Sequence, residues 1–227
     1  EENVMMLKDV ILRNSKFGAG NGYLRHERVD HGVLDNKLFT ENSLLSSLKD
    51  KAWTQLGSSG GGNHFVEFGV VEFEDKDEVL NIERGTYLGL LTHSGSRGMG
   101  ATIAGHYTKL AKSLCKLPYQ AENLAYLDLD THEGQEYWLA MNLAGDYASA
   151  CHEVIHKKIK LALGAELLAQ VENHHNFAWK ETWNDQEVIV HRKGATPAAK
   201  GVMGIIPGSM ATPGFLVRGK GEMKAIQ

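Results

Sequence analysis

The sequence has few of the features that mark secreted, membrane-spanning or strongly basic proteins. It has only two cysteines, Cys115 and Cys151, which excludes a disulfide framework and favours a reducing compartment. No apolar run approaches the roughly 20 residues that a membrane-spanning helix needs, and the acidic N-terminus has no signal-peptide pattern. Lys and Arg number 24 against 28 Asp and Glu, so nucleic acid binding through bulk positive charge is excluded, although a local basic site is not. We therefore expect a cytoplasmic protein without a membrane contact.

Proline is also scarce, with 4 residues, whereas the 227 residues include 25 glycines and 11 histidines. Hydrophobic spacing along the chain predicts an α+β fold, a single mixed domain over residues 1–227. In this domain, β-strands and glycine-rich loops flank a central helical section. Thr40 or Asn42 is the expected N-cap of the second helix. The predicted helices are 1–14, 37–52, about 20 residues from Ser96 and 134–168; the predicted strands are 63–73, a buried strand at 85–95, HNFAWKE, EVIVHRKG and GVMGIIPG; residues 15–35 form a loop.

Two short patterns match enzyme motifs by spacing alone. HEVIH places His152, Glu153 and His156 as in the zinc peptidases, where two histidines on one helix face bind a metal beside a glutamate base. The apolar stripe of this helix leaves both histidines on its polar side, so a solvated helix face is favoured over a metallohydrolase. The GSSGG sequence at 57–61 fits a nucleophile elbow, but a strand follows it where the elbow needs a helix.

Three other histidines each stand at a strand end beside a glycine-rich or asparagine-bearing turn: His64, His93 and His175. Asn63 and Asn176 are their neighbours. Neutral imidazole binds zinc, manganese, iron and nickel, so these positions are candidates for one metal site. Spacing does not show that the three converge.

Turns that carry small or basic residues are candidates for phosphate binding. PGSM at 207–210 can present backbone N–H groups to an anion, although Pro207 is equally typical of a plain β-turn. Arg97 in SGSRG, and Arg192 with Lys193 in HRKGAT, can bind phosphate by charge-assisted hydrogen bonds. The alternative for each is a solvated surface charge.

Taken in order, these segments resemble the RtcB family of RNA ligases. The resemblance spans residues 57–221. It rests on GGGNHFVE (60–67), HSGSRGMG (93–100), HHNFAW (174–179), RKGA (192–195), IIPGSM (205–210) and FLVRGKG (215–221).

The resemblance implies an enzyme that joins RNA ends bearing a 2′,3′-cyclic phosphate or 3′-phosphate to ends bearing a 5′-hydroxyl. The family uses GTP and manganese, with two ions expected, and passes through a histidine–GMP intermediate. It implies RNA and GTP as partners, an archease-type helper protein, and a role in tRNA splicing or RNA repair. A non-catalytic RNA-binding remnant is the other alternative.

Carried over residue by residue, the resemblance assigns roles to most of the positions above. Glu67 would bond the guanine edge. The implied metal ligands are His64, His93 and His175; the guanylate-binding residues are Asn63, His64, Phe65, Val66, Glu67, His175, Asn176, Pro207, Gly208, Ser209 and Met210; the residues suited to RNA phosphate are Arg97 and Lys193.

The chain departs from the family pattern at several points. It has no D-x-G-C-G-M segment, which supplies further metal ligands, and no S-H-G-A-G-R motif, which carries the guanylated histidine. Gly214 stands where the family commonly has a guanylate-contacting serine. We therefore expect the central portion of a larger ligase, inactive alone, with the catalytic histidine beyond Gln227.

Overall fold

A computed structural model describes residues 2–209 and 212–222 and divides the chain into two compact units. The first unit takes Glu1–Glu78 and Glu83–Glu166, and the second takes Val79–Ile82 and Leu167–Gln227. The α+β class is confirmed, since long helices and antiparallel strand pairs both occur. The prediction of one domain stays a prediction, because compactness does not show whether a unit folds alone.

The first unit holds all the α-helices of the described chain and one β-hairpin. Short 3₁₀ helices lie at Arg25–Glu27, Gly32–Asp35 and Tyr119–Leu124, so the expected loop at 15–35 contains two of them. The α-helices are α1 (Glu2–Asn14), α2 (Leu38–Glu41), α3 (Ser43–Gln55), α4 (Arg97–Leu114) and α5 (His132–Leu163), and the strands are β1 (Phe65–Phe73) and β2 (Gly85–His93).

Helix ends follow local capping chemistry. Asn42 is the N-cap of α3, where its side chain accepts a hydrogen bond from the Leu45 N–H at 3.0 Å. The single helix predicted over 37–52 is therefore wrong: Asn42 has extended backbone and separates α2 from α3. Helix α5 begins after its N-cap Thr131 and ends before its C-cap Gly164, whose φ of 60° lies in the left-handed region. It thus stops before residue 168, the predicted end.

The main core of this unit lies between α3, α4 and α5. Tyr147 of α5 is fully buried there, and its hydroxyl donates to the Ala52 carbonyl at 2.7 Å. Ala52 belongs to the last turn of α3, whose carbonyls have no partner within the helix. Buried Tyr147 therefore both packs against α3 and satisfies its C-terminal end.

A second, smaller core joins the β1–β2 hairpin to α5. The strands are antiparallel, with Val66 opposite Thr92 and Phe65 opposite His93. Val66 packs with Ile155 and Ile159 of α5. The prediction of strand β2 is confirmed, but the prediction that it is buried is wrong. None of its residues is buried, because the hairpin has only two strands and is covered on one face.

The second unit consists of two hairpins and their connections. The first pairs β3 (Asn176–Trp183) with β4 (Gln186–Lys193), and the second pairs β5 (Met203–Ile206) with β6 (Phe215–Arg218). The predicted strands in this region are confirmed, with shifted ends. Across the whole described part of the chain, no helix is both long and apolar enough to span a membrane.

We predict that Tyr147→Phe lowers the free energy of unfolding by about 1–2 kcal/mol, because the buried Ala52 carbonyl loses the hydroxyl that donates to it. Urea denaturation followed by circular dichroism measures the change. Tyr119→Phe is the matched control, since that ring is 83% exposed and its variant should unfold like the wild type. Equal stability of Tyr147→Phe and wild type would contradict the role of this bond.

Candidate functional site

The glycine turn that precedes β1 is built on the C-terminal end of α3. The Ser58 N–H and hydroxyl both donate to the Gln55 carbonyl, at 3.0 and 2.6 Å. Gly57 has a φ of 77°, and a Cβ there would lie 2.3 Å from Val154 Cγ1 of α5. Both the backbone conformation and the space therefore require glycine at this point. Ser58 and Ser59 are fully buried, so the turn is fixed to the core.

This arrangement bears on the serine motif at 57–61. The motif serine, Ser59, is fully buried, and the element that follows the turn is strand β1. Both features differ from a nucleophile elbow, whose serine is exposed before a helix. The preference against a hydrolase at this position is supported.

His64 is held at the end of the same turn. Its Nδ1 lies 3.1 Å from the Ser59 carbonyl oxygen, a contact in which Nδ1–H donates. The neutral ring then carries its lone pair on Nε2, the arrangement typical of a metal-binding histidine oriented by a backbone carbonyl. Burial, followed by the positive charge of Arg97, lowers the pKa of His64, and His152 acts in the same direction. The ring is therefore neutral at neutral pH.

Arg97 is directed into the protein and onto the glycine turn. Its Nε donates to Ser58 Oγ at 3.1 Å, and its Nη1 lies 3.4 Å from His64 Nδ1. Glycine at position 60 leaves room for this guanidinium, since a Cβ there would lie 1.7 Å from Nη1, and its φ of 103° lies in the left-handed region that favours glycine. Arg97 itself has a φ of 52°, a strained value for a residue with a side chain. In this structure its guanidinium orders the turn, and its expected RNA phosphate contact stays a prediction.

His93 lies beside His64 at the open end of the hairpin. The two ring centroids are 5.5 Å apart, and the Phe65 ring contacts His93 at the same centroid distance. Glu67 faces the same side of the hairpin as His93 and is its diagonal neighbour, since Glu67 pairs with Leu91. The structure therefore brings together four of the predicted site residues, His64, Phe65, Glu67 and His93.

The remaining residues of this segment divide by exposure. Asn63 is exposed in the turn, where its side chain is accessible to a ligand. Val66 is buried against α5, so only its backbone is available to a nucleotide.

The predicted residues of the second unit lie where β3 begins and β4 ends. Asn176 Oδ1 accepts from the Gly194 N–H at 2.7 Å, and the His175 carbonyl accepts from the Ala195 N–H at 3.1 Å. Gly194 has a φ of 65°, which its missing side chain allows. These bonds fix the turn after exposed Lys193 against the segment that carries His175.

The expectation that Arg192 and Lys193 together bind phosphate is wrong for Arg192. It is only 6% exposed, its Nη2 donates to Glu181 Oε2 at 2.9 Å, and its guanidinium lies over the Trp179 ring. The alternation of a strand explains the difference: adjacent residues face opposite sides, so Lys193 is exposed where Arg192 is buried. Arg192 is not positioned to bind phosphate.

The PGSM turn is exposed over Pro207, Gly208 and Ser209, while Met210 lies outside the described residues. The Ser209 N–H donates to Thr212 Oγ1 at 2.7 Å. A Cβ on Gly208 would lie 2.4 Å from the Thr212 carbonyl oxygen, so this turn also requires glycine. At Gly214 a Cβ would meet the Ile206 carbonyl oxygen at 3.1 Å, a close approach that a serine there would have to relieve.

The HEVIH histidines differ from the solvated face expected of them. His152 and His156 are half-buried, and His156 Nε2 hydrogen-bonds Thr92 Oγ1 at 3.0 Å, while Glu153 pairs with His31 at the same distance. The apolar stripe located the core correctly but gave no sign that a hairpin also covers the edge of the polar face. Sequence reasoning found this motif and missed its contact with β2.

Among residues 2–209 and 212–222, no group of three or more His, Cys, Asp or Glu side chains is arranged to hold a metal. The first unit contains the His64–His93 pair and the second contains His175. Convergence of all three on one metal stays a prediction. Cys151 beside Gly57 is not a candidate ligand, because burial raises the pKa of its thiol to about 11 and keeps it protonated.

Comparison with known proteins places these residues in a family. A family model described as tRNA-splicing ligase RtcB matches residues 3–227. A protein named tRNA-splicing ligase RtcB from Nanoarchaeum equitans is 31% identical over 226 residues, covering 86% of this chain and 47% of its own length. RNA-splicing ligase RtcB of Escherichia coli K12 is 33% identical over 191 residues, covering 77% of this chain and 43% of its own length.

The tRNA-splicing ligase RtcB of Methanocaldococcus jannaschii is 30% identical and matches 94% of this chain, but only 26% of its own length is covered. The chain thus spans less than half the length of each of these three relatives. The family match itself covers almost every residue of the chain and includes all the site segments described above. The chain belongs to the tRNA-splicing ligase RtcB family.

Proposed function

We propose that the protein is an RNA ligase that joins 2′,3′-cyclic phosphate or 3′-phosphate ends to 5′-hydroxyl ends, using GTP and manganese. The observation that carries this proposal is the neutral His64 imidazole held beside His93 at the open end of the hairpin, in a chain of the RtcB family. The proposal includes the histidine–GMP intermediate. The residues described here would supply metal and nucleotide contacts to it.

The first-unit residues fit a divalent metal. Nδ1–H of His64 donates to the Ser59 carbonyl, so Nε2 can ligate. Neutral imidazole is a suitable ligand for Mn²⁺, and His175 would add a third. When bound, two Mn²⁺ ions would neutralise the charge of the triphosphate. The positive charge of Arg97, whose Nη1 lies 3.4 Å from His64 Nδ1, favours the neutral ring.

The outer face of the hairpin suits the nucleotide. The Glu67 carboxylate can accept hydrogen bonds from the N1–H and exocyclic amine of guanine, which adenine does not present in the same way. Phe65 on the same face offers a ring surface. The other proposed guanylate contacts are Asn63, His64, the Val66 backbone, His175, Asn176, Pro207, Gly208, Ser209 and Met210.

The proposed RNA contacts are Arg97 and exposed Lys193. Lys193 has the stronger support. Its neighbour Arg192 is buried in an ion pair with Glu181, whereas Lys193 is the exposed cation of RKGA. A role in tRNA splicing or RNA repair, an archease-type helper and a cytoplasmic location complete the proposal. Both cysteines are free thiols, which agrees with a reducing compartment.

The metallohydrolase alternative has no comparable support. Glu153, which would be the general base, is paired with His31, and His156 is bonded to Thr92. The non-catalytic RNA-binding alternative is separated by the ligation assay below, because such a protein would bind RNA without joining it.

We predict that His64→Ala reduces RNA joining by at least about 100-fold, since loss of a metal ligand removes charge stabilisation at the phosphates. The assay uses the full-length gene product, Mn²⁺, GTP and two RNAs that bear a 2′,3′-cyclic phosphate and a 5′-hydroxyl. His132→Ala is the control, because that side chain is 83% exposed at the start of α5. Full ligation by His64→Ala, or none by the wild type, would refute the proposal.

We also predict that Glu67→Gln lowers the preference for GTP over ATP by about 10-fold or more, because the neutral amide offers one acceptor where the carboxylate offers two. Competition of each nucleotide for guanylylation measures the preference. Glu72→Gln on the same strand is the control, since Glu72 pairs with Thr86 toward the far end of the hairpin. An unchanged GTP preference in Glu67→Gln would count against guanine recognition by this residue.

A further inference from the structure

The proposed function leaves one hydrogen bond between α5 and the hairpin without a role. His156 Nε2 and Thr92 Oγ1 lie 3.0 Å apart, and both side chains are half-buried. A hydroxyl both donates and accepts, so this bond forms with either tautomer of the neutral ring. It is a contact between the HEVIH segment and the residue that immediately precedes His93.

Strand geometry explains how this contact can affect the position of His93. Successive side chains of a strand face opposite sides, and Thr92 faces α5 while His93 contacts His64 and Phe65 on the other side. Across the hairpin, the partner of Thr92 is Val66, which packs on Ile155 and Ile159 of the same helix. The Val66–Thr92 pair is the neighbour of the Phe65–His93 pair at the open end of the hairpin. It is therefore attached to α5 on both strands, by a hydrogen bond on β2 and by apolar packing on β1.

A second histidine lies on the same stretch of the helix. His152 comes one helical turn before His156 and is half-buried as well. One face of α5 thus meets both strands at the end of the hairpin where the two site histidines lie.

We propose that His156 and Thr92 form a brace that positions His93 relative to His64 for metal binding. Neither residue is a ligand; both act through the backbone at the end of β2, where a small displacement of Thr92 moves the adjacent His93 ring. Residues that orient metal-binding histidines from behind typically change metal affinity by about 10–100-fold when they are lost. The inference rests on the proposed function, because it assumes that His64 and His93 bind Mn²⁺.

The test measures Mn²⁺ affinity of the full-length gene product without RNA or nucleotide, by electron paramagnetic resonance of the free ion. Thr92→Val removes the hydroxyl but keeps the shape, and His156→Leu removes the ring nitrogen. We expect each to weaken Mn²⁺ binding about 10-fold. Thr92→Ser and His156→Gln retain a hydrogen-bonding group and should stay within about 2-fold of the wild type.

Two further variants separate positioning from general stability. Thr92→Val combined with His156→Leu should bind Mn²⁺ no more weakly than the weaker single variant, because both remove the same bond. His132→Ala, at the exposed start of the same helix, should bind as the wild type does. Thermal unfolding of every variant shows whether the folded fraction at the assay temperature is unchanged, and the conservative pair gives the answer where the apolar variants are unfolded.

The outcomes separate the brace from the function on which it rests. Equal Mn²⁺ binding by wild type and His64→Ala contradicts the proposed metal role and overturns the brace with it. If His64→Ala abolishes Mn²⁺ binding but folded Thr92→Val and His156→Leu retain it, the brace alone is overturned. An affinity loss that follows only the unfolded fraction, or is equal in Thr92→Ser and Thr92→Val, also overturns it.

Discussion

The packing of the β1–β2 hairpin on helix α5 is the constraint on which the first-unit site depends. A two-stranded hairpin is marginal in water without a third element to cover one face. Here Val66 packs against Ile155 and Ile159, and Phe68 and Leu90 extend the same contact. Covering one face leaves the other available, and that open face carries Glu67 and His93. The helix therefore stabilises the hairpin and also determines which of its side chains are presented.

The glycine turn before β1 depends on the same helix from its other side. Tyr147 and Val154 of α5 meet the end of α3 and Gly57, so the turn is enclosed between two helices. Enclosure explains the residues that follow: the Ser58 hydroxyl donates to the Gln55 carbonyl, the Ser59 N–H donates to the Lys16 carbonyl, and Gly60 leaves room for the Arg97 guanidinium. His64 leaves this turn with its Nδ1 already bonded to the Ser59 carbonyl. Its orientation is thus set by the fold before any ligand is bound.

Sequence patterns predicted the long helices, the strands and a helix cap at Thr40 or Asn42, of which Asn42 is the cap, because each depends on neighbours in the chain. They placed His64 and His93 at strand ends, and the hairpin register then brought them together. What they missed depends on contacts between distant segments. An apolar stripe shows which face of α5 is buried but not that Thr92 lies over His156, and a basic dipeptide does not show that Arg192 finds Glu181 across the strand pair.

The alternation of side chains along a strand accounts for how structural and functional residues share so short a segment. On β1, buried Val66 holds the hairpin while its neighbours Phe65 and Glu67 face the open side. The same division recurs on β4, where Arg192 is buried in an ion pair and Lys193 is exposed. In both strands, adjacent residues divide packing and exposure between opposite faces. A substitution at a packed position therefore changes the open face as well, because it displaces the backbone to which the neighbouring side chain is attached.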